Sequence, residues 1–202
     1  MKNKRVLLID ALNLFIRNYI VDPSLSTNGH PIGGAKGFIK SLKAVCRIIR
    51  PDLILVAWDG GSQKRKSIDK NYKAGRKPVR LNRGIHNMTA GEQEENKNWQ
   101  QERIIEYLNQ MPILQSYVEN VEADDIIALV SQSKVLSEHH KIILSSDKDF
   151  IQLCDDTTIL YRPIQKEILN KKRILEQFEI HPTNFALARA IAGDKSDNLP
   201  GV

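Results

Sequence analysis

Cysteine is nearly absent: Cys46 and Cys154 are the only two in 202 residues, both in apolar contexts and without metal-ligand spacing. That excludes a disulfide framework and a thiolate metal site, and leaves two reduced core thiols. Histidine is sparse too, and His30, His86, His139, His140 and His181 share no spacing with the acidic residues. Imidazole chemistry is therefore given no role. No run approaches the roughly 20 apolar residues of a membrane span, and Met1-Lys2-Asn3-Lys4-Arg5 leads into a short strand pattern rather than a signal peptide. No membrane partner is expected, and cytoplasmic residence is the default expectation.

What is abundant is charge, and it is unevenly placed. Between Ser62 and Arg83 stand nine basic residues (Lys64, Arg65, Lys66, Lys70, Lys73, Arg76, Lys77, Arg80 and Arg83) against one acid, Asp69, a local charge of +8 within a net charge of +6. The rest of the chain is slightly acidic. A nearly neutral domain with one concentrated basic segment is what polyanion binding requires. Tyr72 is the one aromatic in that segment, available to stack on a base or to pack beneath it.

Strands and helices alternate along the chain. Arg5 to Ile9 reads as a buried strand ending at Asp10, with a helix from Ala11 to Tyr19. After a Gly-Pro-rich loop (Ser26 to Gly34), a helix from Ala35 to Ile49 ends before Pro51, and Leu53 to Trp58 forms a second apolar run that delivers Asp59. The polar tract from Lys77 to Asn98 has few apolar anchors and is expected to be a mobile loop. Trp99 to Met111 is expected to be a helix, Ile113 to Val118 a strand, and Glu122-Ala123-Asp124-Asp125 the acidic first turn of a helix whose buried side carries Ile126, Ile127, Leu129 and Val130. Lys141 to Ser146 gives another strand with Asp147 and Asp149 beyond its end, Thr157 to Tyr161 an edge strand, and Lys171 to Phe178 and Thr183 to Ala192 two helices. The expected architecture is α/β, a central mostly parallel twisted sheet flanked by helices, with a basic helical arch or mobile loop over one edge.

If the strands are parallel, Asp10, Asp59, Glu122, Asp124, Asp125, Asp147 and Asp149 converge at the carboxyl edge of the sheet, where α/β folds bind ligands. Two like charges 4 Å apart repel by roughly 4 kcal/mol at an effective dielectric of 20. Helix dipoles worth about 0.3–1 kcal/mol each do not offset that, so the cluster needs cations. An all-oxygen set without His or Cys selects a hard ion, Mg²⁺ or Mn²⁺. A pair of such ions is suited to phosphodiester hydrolysis, one activating water and one stabilising the leaving oxygen.

Several short motifs then coincide: Ile9-Asp10, Val56-Ala57-Trp58-Asp59, Arg65 followed by Tyr72-Lys73-Ala74-Gly75-Arg76, Val121-Glu122-Ala123-Asp124-Asp125, Ser145-Ser146-Asp147-Lys148-Asp149-Phe150, and Gly193-Asp194-Lys195-Ser196-Asp197-Asn198-Leu199-Pro200-Gly201-Val202. In this order they resemble the 5′-nuclease superfamily, the flap endonucleases and the 5′-3′ exonucleases of bacterial DNA polymerases and phages. The resemblance implies that Asp10, Asp59, Glu122, Asp124, Asp125, Asp147, Asp149, Asp194 and Asp197 bind two Mg²⁺ ions, with Mn²⁺ as a substitute. It implies that Lys73 and Arg76 act on the scissile phosphate, and that Lys64, Arg65, Lys66, Lys70, Tyr72, Lys77, Arg80 and Arg83 meet nucleic acid from an arch spanning about residues 62–98. Residues 1–192 would form the catalytic domain. Residues 193–202 would open a helix-three-turn-helix element, a K⁺ site in the complete form, which the chain leaves unfinished as a truncated piece would.

The implied activity is hydrolysis of DNA near 5′ ends, by in-line attack of water that leaves a 5′-phosphate and a 3′-hydroxyl, in replication primer or flap removal or in repair. The implied partners are DNA with 5′ single-stranded ends or flaps, and RNA-DNA hybrid, bound by a monomer. Short relatives of this kind are frequent in phages, which would place the protein in a host cytoplasm. Two alternatives stand beside it: a PIN-type endoribonuclease, which shares the acidic cleft but has a smaller domain and no basic arch, and a non-catalytic structure-specific DNA-binding relative.

Overall fold

The computed structural model describes residues 3–70, 72–73, 81, 88–193 and 201–202, the Lys64 side chain excepted. Strands β1 (Arg5–Asp10), β2 (Leu53–Trp58), β3 (Leu114–Tyr117), β4 (His140–Leu144), β5 (Thr158–Arg162) and β6 (Glu167–Leu169) form one sheet in the order β3-β2-β1-β4-β5-β6. β1 pairs in parallel with β2 and β4, β2 with β3, and β4 with β5, while β6 runs antiparallel to β5. The short β6 was not anticipated from the sequence, where three alternating residues give no separable signal.

Side-chain alternation divides the buried strands between two cores. Leu7, Ile9, Val56, Trp58, Ile142 and Leu144 face helices α1 (Ala11–Val21), α2 (Gly33–Ile49) and α4 (Ala90–Asn109), where Phe38 stacks on Trp58 at 6.3 Å. Val6, Leu8, Ala57, Ile143 and Leu160 face α5 (Ala123–Ser131), α6 (Lys171–Phe178) and α7 (Phe185–Ala192). Helices on both faces explain why β1, β2 and β4 read as near-continuous apolar runs. Each fully buried aliphatic or aromatic side chain contributes about 1.5–3 kcal/mol. Cys46 and Cys154 are free thiols, the second buried in the α5 side of the core. Among the described residues no helix is long and apolar enough to cross a membrane.

The polar tract departs from expectation. Residues 90–98, read from the sequence as loop, are the first turns of α4. A capping box starts the helix: the Thr89 hydroxyl accepts from Glu92 N at 3.3 Å and the Glu92 carboxylate accepts from Thr89 N at 2.6 Å. The tract then docks through amides in place of apolar anchors. Asn96 Nδ2 donates to Pro31 O at 3.0 Å, Gln100 Nε2 donates to Asn96 Oδ1 at 2.7 Å, and Ala35 N donates to Gln100 Oε1 at 2.9 Å. Both amides are buried, and each is satisfied. Within the basic segment, residues 63–68 form a short helix, α3 (Gln63–Ile68).

Candidate functional site

The carboxyl ends of β1, β2 and β4 open into a cavity of about 620 Å³ lined by Asp10, Asp59, Asp124, Asp147 and Asp149. Asp10 ends β1 and caps α1, its Oδ1 accepting from Asn13 N at 3.1 Å. Its other oxygen accepts from Ser145 Oγ at 3.0 Å. Ser145 Oγ in turn accepts from Asp147 N at 3.1 Å, and Asp147 Oδ1 accepts from Asp149 N at 2.8 Å. Asn13 Oδ1 accepts from Ser146 N at 3.0 Å, a second tie between the ends of β1 and β4. Three acids are thus positioned by one continuous hydrogen-bond chain.

Asp59 leaves β2 in a turn, where its Oδ1 accepts from Gly61 N at 2.8 Å. Gly60 bonds its N to Val121 O and its O to Asn120 N, both at 2.9 Å, which fastens the β2 exit to the start of α5. A Cβ at Gly60 would lie 1.9 Å from Val118 O, so no other residue allows this approach.

The acidic turn is divided by helical geometry. Asp124 lines the cavity, whereas Asp125 is 51% exposed and pairs with Arg65 NH2 at 2.7 Å. Glu122 is 3% exposed and accepts from the Arg65 guanidinium, from Lys73 Nζ at 2.7 Å and from Tyr72 OH at 3.2 Å. Lys73 Nζ and Arg65 also lie over the Tyr72 ring, 5.0 and 5.8 Å from its centre. Lys73 holds a left-handed backbone, φ 59°, uncommon for a residue with a Cβ. Arg65, Tyr72 and Lys73 border the cavity, while Lys66 and Lys70 stand exposed outside its lining. Lys64 lacks a described side chain, and Arg76, Lys77, Arg80, Arg83, Asp194 and Asp197 lie outside the described residues.

Sequence reasoning passed over Ser145, Asn13, Arg17 and Lys97. The first two build the hydrogen-bond chain, and the last two line the cavity. Hydroxyl and amide residues next to an aspartate at a strand exit were the available signal for Ser145 and Asn13.

The carboxyls are crowded. Burial pushes the Asp10 carboxyl up to about 6, and the charges of Asp147 and Asp59 add to it against the opposing bonds from Asn13 and Ser145. Burial likewise raises Asp124 to about 7, helped by Asp10, Asp147 and Glu122 and opposed by Lys73. Among the described residues no group of three His, Cys, Asp or Glu side chains is gathered tightly enough to hold an ion unaided. The donors still fit a hard divalent cation: they are all carboxylate oxygens, their repulsion would be relieved by positive charge, and the cavity leaves room for the waters that Mg²⁺ retains.

A family described as 5′-3′ exonuclease, N-terminal resolvase-like domain, matches residues 5–179. A 5′-3′ exonuclease from Aquifex aeolicus is 28% identical over 202 residues, 98% of this chain and 65% of the relative. The thermostable DNA polymerase I of Thermus aquaticus is 30% identical over 200 residues, 98% of this chain and 22% of the polymerase. The chain therefore spans just under two thirds of that exonuclease and a smaller part of the polymerase. The fold is shared with a bacteriophage T5 protein co-crystallised with metal ions (TM-score 0.78, 18% identity, 98% of this chain and 70% of that one). It is shared also with a bacteriophage T5 flap endonuclease in complex with DNA and metal ions (TM-score 0.75, 18% identity, covering 98% and 70%).

Proposed function

Because the chain belongs to the 5′-3′ exonuclease family through its N-terminal resolvase-like domain, residues 5–179, we propose that it is a divalent-metal-dependent nuclease hydrolysing DNA phosphodiesters near 5′ ends. The products are a 5′-phosphate and a 3′-hydroxyl, and the substrates are the 5′ ends and flaps left by replication or repair. The observation that carries this reading is the meeting of Asp10, Asp59, Asp124, Asp147 and Asp149 in one cavity bordered by Arg65, Tyr72 and Lys73.

Asp10, Asp59, Asp124, Asp147 and Asp149 would hold the ion or ions, directly or through water, and Mg²⁺ with Mn²⁺ as substitute is the proposed identity. When bound, such ions make water a stronger nucleophile and neutralise phosphoryl charge. Ser145 keeps Asp10 and Asp147 in register for that task. Lys73 and Arg65, parked on Glu122, supply cations within reach of the cavity mouth. A phosphate group arriving there competes with Glu122 for both, and the guanidinium can take it in bidentate fashion. Tyr72, between the two cations, offers a face for a base. Arg76, Asp194 and Asp197 are assigned to the same chemistry on the resemblance alone. A single copy contains every residue named, so a monomer suffices.

The test is cleavage of labelled 5′-flap DNA, matching single-stranded DNA, RNA and RNA-DNA hybrid, each with Mg²⁺ and then with EDTA. Cleavage of the DNA flap that EDTA abolishes is expected. Asp147→Asn is expected to remove cleavage while DNA binding persists. Retention of more than about a tenth of the rate in that variant, a 1.4 kcal/mol effect or less, would remove Asp147 from the ion-binding set. Cleavage confined to RNA would overturn the substrate assignment.

A further inference from the structure

A second concave surface lies between α2 and α4, away from the acids. The two helices run side by side, with Ala35 bonded to Gln100 and Pro31 to Asn96. Below that junction each presents a stripe outward. Lys36, Lys40 and Lys43 follow one another at helical spacing on α2, and Trp99, Arg103 and Tyr107 do so on α4. They border a groove of about 690 Å³ with Ile39 and Met111 in its lining.

Large apolar side chains are exposed there: Trp99 is 41% exposed, Tyr107 48% and Met111 40%. An exposed apolar patch within a charged rim marks an interaction surface. The charged residues lining the groove itself are Lys36, Lys40, Lys43 and Arg103, while the acids beside them, Asp22 near Lys36 and Lys40 and Glu106 near Arg103, lie outside the lining. Lys36 is occupied by Ser24 Oγ at 2.6 Å, and Arg103 reaches Glu106 at 2.7 Å, but Arg103 Nε is buried without a hydrogen-bond partner. Lys40 and Lys43 make no ion pair among the described residues. The groove thus offers cationic donors around an apolar floor, which suits an anionic ligand with an apolar body.

A DNA strand fits less well than a peptide. The neighbouring cavity, which shares Trp99 with the groove, is lined by Glu92 and Glu95 on the first turns of α4. A phosphate chain extending from the groove past Trp99 would meet those carboxylates, each repelling it. A short protein segment can approach from solvent and bring an aliphatic or aromatic side chain for the floor.

We infer that the groove between α2 and α4 docks a partner protein's segment in which acidic residues adjoin an apolar anchor. The anchor sits against Ile39, Tyr107 and Met111, and the carboxylates meet Lys40, Lys43 and Arg103. The surface is separate from the proposed nuclease site and does not depend on that assignment.

The probe is a fluorescein-labelled peptide of four aspartates followed by Leu-Leu-Phe, titrated with the whole chain by anisotropy. Protein tryptophan emission gives a second signal, because Trp58 is buried and Trp99 is not. Saturable binding is expected, about tenfold weaker for the asparagine version of the peptide and for the Lys40→Glu/Lys43→Glu variant. Both lysines are exposed, so the variant is expected to melt as wild type, and Tyr107→Ser provides a second lesion on the other helix. Unlabelled oligothymidylate should leave the peptide bound, and flap cleavage by the charge-reversed variant should be unchanged. Absence of saturation up to about 1 mM peptide, the weak end of specific association, overturns the inference. So does equal binding by both variants, displacement by oligothymidylate, or loss of flap cleavage, the last two marking the groove as a path for DNA.

Discussion

Replacing Asp124 by Asn should stabilise the protein when divalent cations are withheld, although it removes a member of the proposed ion-binding set. Burial and the neighbouring Asp10, Asp147 and Glu122 raise this carboxyl from 3.8 to about 7. With 1.36 kcal/mol per pH unit, ionising it in the folded state costs about 4 kcal/mol at pH 8. That figure is a ceiling, because the raised carboxyl of Asp10 titrates with it and shares the relief. The amide also forfeits about 0.3–1 kcal/mol of attraction to the amino end of α5. A net gain of about 2 kcal/mol remains, which for a chain of this length is roughly a 4–8 °C rise in melting temperature. No side-chain hydrogen bond of Asp124 is sacrificed among the described residues, so the substitution is clean.

The pH dependence has a definite sign. A carboxyl raised in the folded state binds more protons there than in the unfolded chain, so its penalty is complete above pH 7 and vanishes below 3.8. The advantage of Asp124→Asn should therefore shrink as pH falls through that window. Circular-dichroism melts in EDTA at pH 8, 6.5 and 5, repeated with excess Mg²⁺, would measure this. In Mg²⁺ the order should invert, because the ion binds wild type more strongly and stabilises it by mass action. A variant less stable than wild type at pH 8 in EDTA, or a gain independent of pH, would refute the electrostatic account of the cluster.

Three further substitutions test separate parts of the structure. Lys73→Ala should lower turnover on a 5′-flap substrate about a hundredfold with little change in affinity; a defect in affinity alone would restrict Lys73 to drawing DNA in. Gly60→Ala should destabilise by at least about 1–3 kcal/mol in urea titration, because the added Cβ meets backbone atoms that cannot turn aside, and wild-type stability would contradict the close approach. Gln100→Leu should cost about 2–4 kcal/mol, since Ala35 N and Asn96 Oδ1 would both be left buried without partners; an unchanged midpoint would show that the amide ladder contributes nothing net.

The parallel core was legible because β1, β2 and β4 are covered on both faces, which leaves a continuous apolar run for each and one aspartate at each exit. The amino-terminal half of α4 was not. Its packing face is built from Asn96 and Gln100, and amides that satisfy one another in the interior look in sequence like a solvated loop. The candidate site was legible as a list of acids and not as an arrangement. Residues 100° apart on a helix face different neighbours, and no local pattern says which of Asp124 and Asp125 looks toward the sheet edge. The structure turns Asp124 to the cavity and Asp125 to Arg65. Ser145 and Asn13 escaped because their role arises only when β1 and β4 lie side by side.

That division has a physical consequence for the basic side of the site. Glu122 is buried to 3% exposure and surrounded by Arg65, Lys73 and Tyr72, so its charge is already neutralised before any ion or phosphate arrives. Asp10 and Asp124 make no ion pair among the described residues, and the bonds from Asn13 and Ser145 to the first and the charge of Lys73 near the second only partly offset their burial, so both are raised toward neutrality. One acidic turn therefore has two electrostatic roles, Glu122 holding the cations of the rim and Asp124 facing the other carboxyls. The separation bears on the proposed ion site, because Arg65 or Lys73 placed against Asp124 would cancel the charge that an ion would find there. Under the proposed function the rim would exchange partners, since both cations would loosen from a desolvated carboxylate to meet a phosphate. A buried carboxylate left without them is costly. Under the proposed function that exchange would be favoured only when incoming phosphate and divalent cations together restore the lost compensation, which would couple engagement of the rim to loading of the acidic cavity.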